Sequence, residues 1–281
     1  MKHFLIYNNP HKDSTGMMTN RISSYLEQKG HRCTAVFSEN GKTMREEEIP
    51  EDTSCMIVLG GDGTMLQAAW DTKKSHIPLI GVNLGTLGYM TEIEPAGLET
   101  ALDKLIAGEY ETESRMMLNG HVYRGGQEIC EEWVLNDVVI SRSGSLQIIK
   151  LNIYVNGQFL NDYNADGIIV TTPTGSTGYN LSAGGPIVEP QARLIMLTPI
   201  CPHTLNCRSI ILSAEDQIEI EIPSGRDGQS QTVEANFDGA HVVPMQTGDR
   251  IRIVKSEKTT EIIQINKVSF LEVLHRKMSA D

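Results

Sequence analysis

The chain has 281 residues, with 24 Lys and Arg against 36 Asp and Glu, a formal charge of −12 and 25 glycines. So few cations exclude a protein built to neutralise a nucleic-acid backbone. Forty per cent hydrophobic residues exclude a disordered chain, and no apolar stretch approaches the ~20 residues of a membrane span. The N-terminal stretch Met1–Pro10 has too short an apolar core for a signal peptide. Five cysteines (Cys33, Cys55, Cys130, Cys201, Cys207), an odd number without metal spacing, read as free thiols in a reducing cytoplasm.

Phe4-Leu5-Ile6-Tyr7 reads as a first buried strand. A helix follows, with Met18, Ile22, Tyr25 and Leu26 in one stripe and Gly30 as its stop. Thr34–Phe37 is a second strand, and Glu46-Glu47-Glu48 is a solvated charge run. Cys55–Leu59 is a third strand that runs straight into Gly60-Gly61-Asp62-Gly63-Thr64 and then a helix. Pro78–Val82 is a fourth strand, and Pro95 opens a helix with the stripe Leu98, Ala101, Leu102, Leu105, Ile106. Strands separated by helices imply a Rossmann-like parallel sheet with helices on its faces.

Beyond about Glu113 strands follow one another: Trp133–Ser141, Gln147–Val155, Gly167–Thr172, Ser209–Leu212, Gln217–Ile222, Thr232–Phe237, Arg250–Val254 and Glu261–Ile265. Asn156-Gly157 and Asp227-Gly228 read as hairpin turns. The fold class is therefore an α/β N-terminal domain plus a mostly β C-terminal domain. The tail Val268–Lys277 is helical again, with Phe270, Leu271 and Leu274 on one face.

Three glycine-rich clusters carry the chemistry. In Gly60–Thr64 a strand-to-helix turn aims free N–H groups at an anion, and Asp62 is placed to accept a hydroxyl proton or organise a metal beside phosphates. For an isolated Gly-Asp-Gly a plain turn is the commoner outcome, but the strand–turn–helix context shifts the balance. Gly41-Lys42-Thr43 lacks the first P-loop glycine, with Val36 in its place. There is also no Gly-x-Gly-x-x-Gly after the first strand. The second cluster, Asn83–Tyr89, stands at the carboxyl end of the fourth strand, where open α/β sheets bind ligands, although a plain loop fits the sequence equally well. The third runs from Asp166 to Pro186, an uncharged loop of hydroxyls and glycines after Asp166 that suits ribose and phosphate oxygens, with Tyr179 able to pack on a flat ring. Asn136-Asp137 reads as a polar pair inside an apolar strand, with partners expected to be internal, and Asp238-Gly239 as a hairpin turn. His203 and the other histidines have no ligand spacing, so no protein metal site is assigned.

Taken together, these residues closely resemble the NAD kinases of bacterial type, the ATP- or polyphosphate-dependent enzymes that make NADP. The resemblance spans nearly the whole chain. It rests on Gly60–Thr64, Asn83–Tyr89, Asn136-Asp137, Asp166-Gly167, Thr172–Tyr179 with Ser182–Pro186, Pro202–Leu205 and Phe237–Gly239. Gly-Gly-Asp-Gly-Thr alone is shared with diacylglycerol-type lipid kinases; the Thr-Pro-Thr-Gly-Ser-Thr run with the Asn-acidic pair is far more specific.

The resemblance implies an α/β domain over residues 1–112, a β-rich NAD-binding domain over 113–267, a tail (268–281) returning to the first, and an active site between the domains. It implies that Asp62 is the proton acceptor or the residue that organises the metal. Gly60, Gly61, Gly63 and Thr64 would take ATP phosphates. Asp62, Gly63, Asn136, Asp137, Asp166, Thr174, Thr177, Gly178, Tyr179, Asn180, Leu181, Ser182 and Asp238 would bind NAD. A divalent cation, Mg²⁺ or Mn²⁺, a homodimer or homotetramer and a cytoplasmic location are further implications. Asp137 stands where the family usually has Glu, Gly178 where it has Ala, and Ala240 where it often has Gln. A lipid kinase and a catalytically silent NAD(P) sensor are the competing readings. The charge then poses a puzzle: no Lys or Arg lies between Cys55 and Trp70, or between Leu151 and Ala192. Cations for two polyanionic substrates must come from elsewhere, beside backbone N–H groups and Mg²⁺.

Overall fold

The computed structural model describes residues 1–37, 44, 48–144, 147–204, 207–266 and 268–279. Gly41-Lys42-Thr43, Glu46-Glu47 and Leu205 lie outside the described residues. The chain divides into two compact units, Met1–Arg115 with Thr259–Asp281, and Met116–Lys258.

In the first unit the elements run β1 (His3–Asn8), α1 (Met17–Gln28), β2 (Arg32–Phe37), β3 (Thr53–Gly60), α2 (Asp62–Asp71), β4 (Leu79–Asn83), β5 (Thr91–Ile93) and α3 (Leu98–Ala107). The four longer strands form a parallel array in the order β2-β1-β3-β4, and β5 adds in parallel beside β4. Apolar side chains on one face (Phe4, Ile6, Ile57, Leu59, Ile80, Val82) pack on the stripes of α1 and α3. The opposite face meets α2. There the bare backbone of Gly81 admits the Met65 sulfur, which a Cβ would meet at 3.1 Å, and the Tyr7 hydroxyl donates to Asp71 at 2.6 Å. Both faces are covered, so the strands read as unbroken apolar runs. The chain leaves β1 toward β2 on one side and, after β3, toward β4 on the other. The crevice where this order reverses, at the carboxyl ends of β1 and β3, is where such sheets bind ligands. The tail adds a helix, Phe270–Met278, capped by the Ser269 hydroxyl, which accepts from the Glu272 N–H.

The second unit is a β-sandwich. It receives the chain through β6 (Glu111–Arg124), which makes a hairpin with β7 (Gln127–Val134). There follow β8 (Asp137–Arg142), β9 (Ile149–Val155), β10 (Gln158–Ala165), β11 (Gly167–Thr171), α4 (Tyr179–Ser182), β12 (Leu194–Ile200), β13 (Ile210–Ser213), β14 (Ile218–Glu221), β15 (Thr232–Phe237), β16 (His241–Gln246) and β17 (Arg250–Gln264). One antiparallel sheet is ordered β13-β12-β11-β8-β15-β16; the facing layer holds β10-β9-β14-β17. Val138, Ile140, Ile168 and Val170 of the first interlock with Leu151, Ile153, Ile218, Ile220 and Ile251 of the second.

Three expectations need correction. Trp133–Ser141 is not one strand: it breaks at Leu135-Asn136, because those N–H groups bond to a side chain instead of a neighbouring strand. Arg250–Val254 and Glu261–Ile265 are the two ends of one strand, β17, whose polar middle (Lys255, Glu257, Lys258) hid its continuity. Asp227-Gly228 is a tight turn with positive φ at both residues, but it is no hairpin. Its flanking strands, β14 and β15, belong to different sheets.

Candidate active site

The residues singled out above fall into two groups, one in each unit. In the first unit β3 ends at Gly60 and α2 begins at Asp62. Gly60 has a packing reason: a Cβ there would collide with the Thr64 side chain of the next turn. Gly61 and Gly63 have none, since a Cβ at either meets nothing within 4 Å. Their bare backbone is the surface an anion can approach most closely, at the positive end of a ten-residue helix. The Thr64 hydroxyl accepts from the Asn9 amide at 3.1 Å, which ties the loop after β1 to this turn.

The Asp62 carboxylate is fixed from outside its own helix. Oδ2 accepts the Tyr89 N–H at 2.8 Å and Oδ1 the Met90 N–H at 3.0 Å. A Cβ at Gly88 would strike Asp62 Oδ1, so only glycine lets the loop come this close. The second glycine cluster is thereby a cradle for the Asp62 side chain. The loop after β1 also delivers a cation: Lys12 Nζ lies 3.7 Å from the point a Cβ on Gly85 would occupy. Lys12 is exposed, and no carboxylate pairs with it among the described residues. Asn8, at the end of β1, is fully buried, and neither end of its side-chain amide has a partner among the described residues.

In the second unit Asp238 organises the Asn136-Asp137 pair. Its Oδ2 accepts the Leu135 N–H at 2.7 Å, and its Oδ1 accepts those of Asn136 and Asp137 at 2.9 and 3.0 Å. Asp238 reaches them because it adopts φ +49 in the tight turn before β16, followed by Gly239 at +70. It is thus both a hairpin residue and the acceptor that opens the break between β7 and β8. From the other side the hydroxyls of Thr171 and Thr172 donate to the Asn136 and Leu135 carbonyls at 2.9 and 2.6 Å. A Cβ on Gly175 would press on the Asn136 carbonyl. Those two hydroxyls of the third cluster therefore brace the pair.

Braced in this way, Asn136 keeps its side-chain oxygen buried without a partner among the described residues. Its amide nitrogen would lie 3.3 Å from a Cβ on Gly178, so glycine there lets the two chains close up. Burial, with the Asp238 charge beside it, pushes the Asp137 carboxyl up to about 7. Burial also lifts Asp238, to about 6, against the pull of its three N–H donors.

The remaining residues of the third cluster divide by exposure. Thr174 is buried in the first turn after β11, and Thr177 is half-buried. Asn180 is wholly buried: its Nδ2 donates to the Ser176 and Pro186 carbonyls, and its Oδ1 accepts the Thr198 hydroxyl at 2.7 Å. Tyr179, Leu181 and Ser182 face outward. Asp166 accepts from Arg142 Nε at 3.2 Å. Arg142 belongs to a cavity of about 960 Å³ that also gathers Lys150, Asn164, His203, Arg226 and Asp227. This cavity and Lys12 went unseen in the sequence, because strand pairing and loop folding assemble them from distant segments. Among the described residues, no group of three or more His, Cys, Asp or Glu is arranged to hold a metal ion. All five cysteines are free, and no helix among the described residues is long and apolar enough to cross a membrane.

Comparison with known proteins gives a consistent result. The model of the ATP-NAD kinase N-terminal domain matches residues 2–110, and that of the ATP-NAD kinase C-terminal domain matches residues 135–265. The chain is similar to an NAD kinase of Agathobacter rectalis, 48% identical over 99% of both chains. It is likewise similar to one of Lachnospira eligens, 45% identical over 99% of this chain and all of the other. Among solved structures it is similar to an NAD kinase from Archaeoglobus fulgidus in complex with ATP (TM-score 0.79, 25% identity, all of both chains covered). It shares its fold with yeast NADH kinase complexed with NADH (TM-score 0.79, 22% identity, 99% of this chain and 88% of the other). With both domain models matched and such relatives over its whole length, the chain belongs to the NAD kinase family.

Proposed function

We propose that the protein transfers the γ-phosphoryl group of ATP to the 2′-hydroxyl of the adenosine ribose of NAD, giving NADP and ADP. The observation that carries this reading is the Asp62 carboxylate, held by two backbone N–H groups at the start of α2, beside glycines that packing does not require. Asp62 takes the hydroxyl proton as the ribose oxygen forms its bond to phosphorus and the bond to the ADP oxygen breaks. Gly60, Gly61, Gly63 and Thr64 cradle the donor phosphates. In such transfers positioning and charge neutralisation supply most of the acceleration.

In the second unit the unpartnered Asn136 oxygen, Asp137, Thr174, Thr177, Gly178 and the outward-facing Tyr179, Leu181 and Ser182 receive the dinucleotide. Asn180 and Asp238 hold that surface in shape through their internal hydrogen bonds. Asp166, with Arg142 and the cations of its cavity, takes a polar part of NAD. A divalent cation, Mg²⁺ or Mn²⁺, would be held beside the phosphate turn, where Asp62 is the acidic residue of the first helical turn, and would neutralise phosphate charge. Free cysteines fit a cytoplasmic location. The edge strands β10 and β13, with Phe159 and Ile211 more than half exposed, fit a homodimer or homotetramer that covers them.

The test is incubation of the purified protein with NAD, ATP and Mg²⁺, reading NADP with an NADP-specific dehydrogenase. NADP formation that stops in excess chelator supports the reading. Phosphorylation of diacylglycerol vesicles without NADP overturns it in favour of a lipid kinase, and NAD binding without transfer overturns it in favour of a sensor. The charge puzzle yields a further expected result. Lys12, beside Gly85 and without a carboxylate partner among the described residues, supplies the donor phosphates with a cation. Lys12→Ala should raise KM for ATP about tenfold, one charge-assisted contact of roughly 1.5 kcal/mol, with KM for NAD unchanged. Equal KM values for ATP in variant and parent would remove Lys12 from the phosphate site.

A further inference from the structure

We propose that the C-terminal helix Phe270–Met278 is a positioning element for Asp62, acting through Tyr89. The inference rests on the reading of Asp62 as proton acceptor given above. Tyr89 faces both ways. Its backbone N–H donates to Asp62 Oδ2 at 2.8 Å, while its ring meets Phe270 with centroids 5.9 Å apart and planes inclined by 38°. Lys277, two turns further along the helix, places its ammonium 4.6 Å from the centre of the same ring. That spacing puts Phe270 and Lys277 on one helix face, so the two close on one aromatic side chain.

The stretch after Tyr89 is fixed by the same tail. Glu92, in β5, accepts the backbone N–H groups of both Ile265 and Asn266, the residues just ahead of the helix. The segment Tyr89–Glu92, which gives Asp62 both of its N–H donors, is therefore pinned at each end by the C-terminal stretch that runs from Ile265 through the helix. The fold alone gives the helix little reason to be there. It buries no residue fully, and Leu271 and Met278 are 69% and 70% exposed. A helix that buries no residue fully adds little to the core, while its Phe270 and Lys277 both close on the residue whose N–H holds the proposed base. Gly88 sharpens the dependence. With no room at Gly88 beyond the Asp62 oxygen, a shift of Tyr89 moves the carboxylate with it. A displacement of about 1 Å at a reacting group is enough to cost on the order of 10²-fold in rate.

The experiment uses the full chain with Phe270→Ala, Phe270→Tyr and Lys277→Ala. Backbone amide exchange is followed at Tyr89 and Met90, with Ile57 and Val58 in β3 as internal references, alongside steady-state kinetics. In Phe270→Ala the Tyr89 and Met90 amides should exchange at least tenfold faster while the β3 amides keep their protection. Over the same comparison kcat should fall at least tenfold, with KM for NAD and ATP within twofold of the parent. Phe270→Tyr should restore both, and Lys277→Ala should show the same pattern more weakly. Unchanged exchange at Tyr89 and Met90 overturns the positioning role whatever the kinetics do. Faster exchange with unchanged kcat keeps the mechanical link and instead overturns the assignment of Asp62 as proton acceptor. A general loss of protection that includes Ile57 and Val58 marks the helix as a stability element and overturns the proposal.

Discussion

Asp62→Asn should lower kcat by about 10³-fold while KM for NAD stays within a few-fold of the parent. A positioned general base contributes about 10²–10⁴ in rate, and the residues of the second unit proposed to receive the dinucleotide are untouched by the change. The geometry adds a second consequence. The carboxylate accepts one N–H at each oxygen, from Met90 at Oδ1 and from Tyr89 at Oδ2. A carboxamide accepts at only one of those positions and turns an NH₂ toward the other donor. One backbone N–H then loses its acceptor, a loss of about 0.5–1.5 kcal/mol in this half-buried setting, and the apparent Tm should fall by a few degrees. The variant should therefore be both slow and slightly softened, with both effects arising at one side chain. Coupled NADP assays, NAD titration calorimetry and thermal melts check the three parts. Turnover equal to the parent's would show that Asp62 is not the proton acceptor.

How far such results were foreseeable depends on which contacts are local. The parallel strands were legible because both faces are buried: Cys55–Leu59 is an unbroken apolar run, as a sheet covered on both sides demands. The stripe Met18, Ile22 and Leu26 of α1 reads directly as the side facing the core. Asn156-Gly157 closes the β9–β10 hairpin with positive φ at both residues, which is why that pair of residue types occupies it. Strand β10 was hidden for the opposite reason. As an edge strand it exposes Gln158 through Asp162, so no alternation marks it.

The candidate site was legible where glycine and carboxylate adjoin, at Gly60–Thr64, and illegible where its parts meet across the chain. Nothing local to Tyr89 announces that its N–H will hold Asp62, 27 residues earlier. Nothing local to Asp238 announces that it will open the strand at Asn136, about a hundred residues earlier. Cations near the proposed phosphate and dinucleotide sites were invisible for the same reason. Lys12, Arg142, Lys150 and Arg226 come from segments outside the two cation-free stretches. A polar pair read as lying inside one strand thus proves to be the place where that strand is ended by a buried carboxylate.

That buried carboxylate pair leads to the second large effect. Asp137→Asn should make the protein more stable at pH 8 and poorer at binding NAD. The Asp137 carboxyl titrates near 7 and the Asp238 carboxyl near 6, both raised from the ordinary value of 3.8, chiefly by burial. With folded-state values above the unfolded ones, the folded chain holds protons that the unfolded chain has already released between about pH 4 and pH 7. Stability therefore falls as pH rises through that window and is level above it. The shift at Asp137, from 3.8 to about 7, corresponds to a loss on the order of 4 kcal/mol by pH 8, at about 1.4 kcal/mol per pH unit of displacement. Asparagine keeps the shape and carries no charge beside Asp238, so the variant should match the parent near pH 4.5 and exceed it at pH 8, with a flatter melting curve against pH. The same change removes an anionic acceptor from the surface proposed to receive the dinucleotide, and KM for NAD should rise about tenfold or more. Such a trade of stability for function is what a buried charge retained at a binding surface entails. Thermal melts from pH 4.5 to pH 8, paired with NAD kinetics, measure both arms. Parallel pH dependences in parent and variant would show that Asp137 holds no raised proton. A variant less stable at pH 8 would show that its charge is offset by partners within the fold.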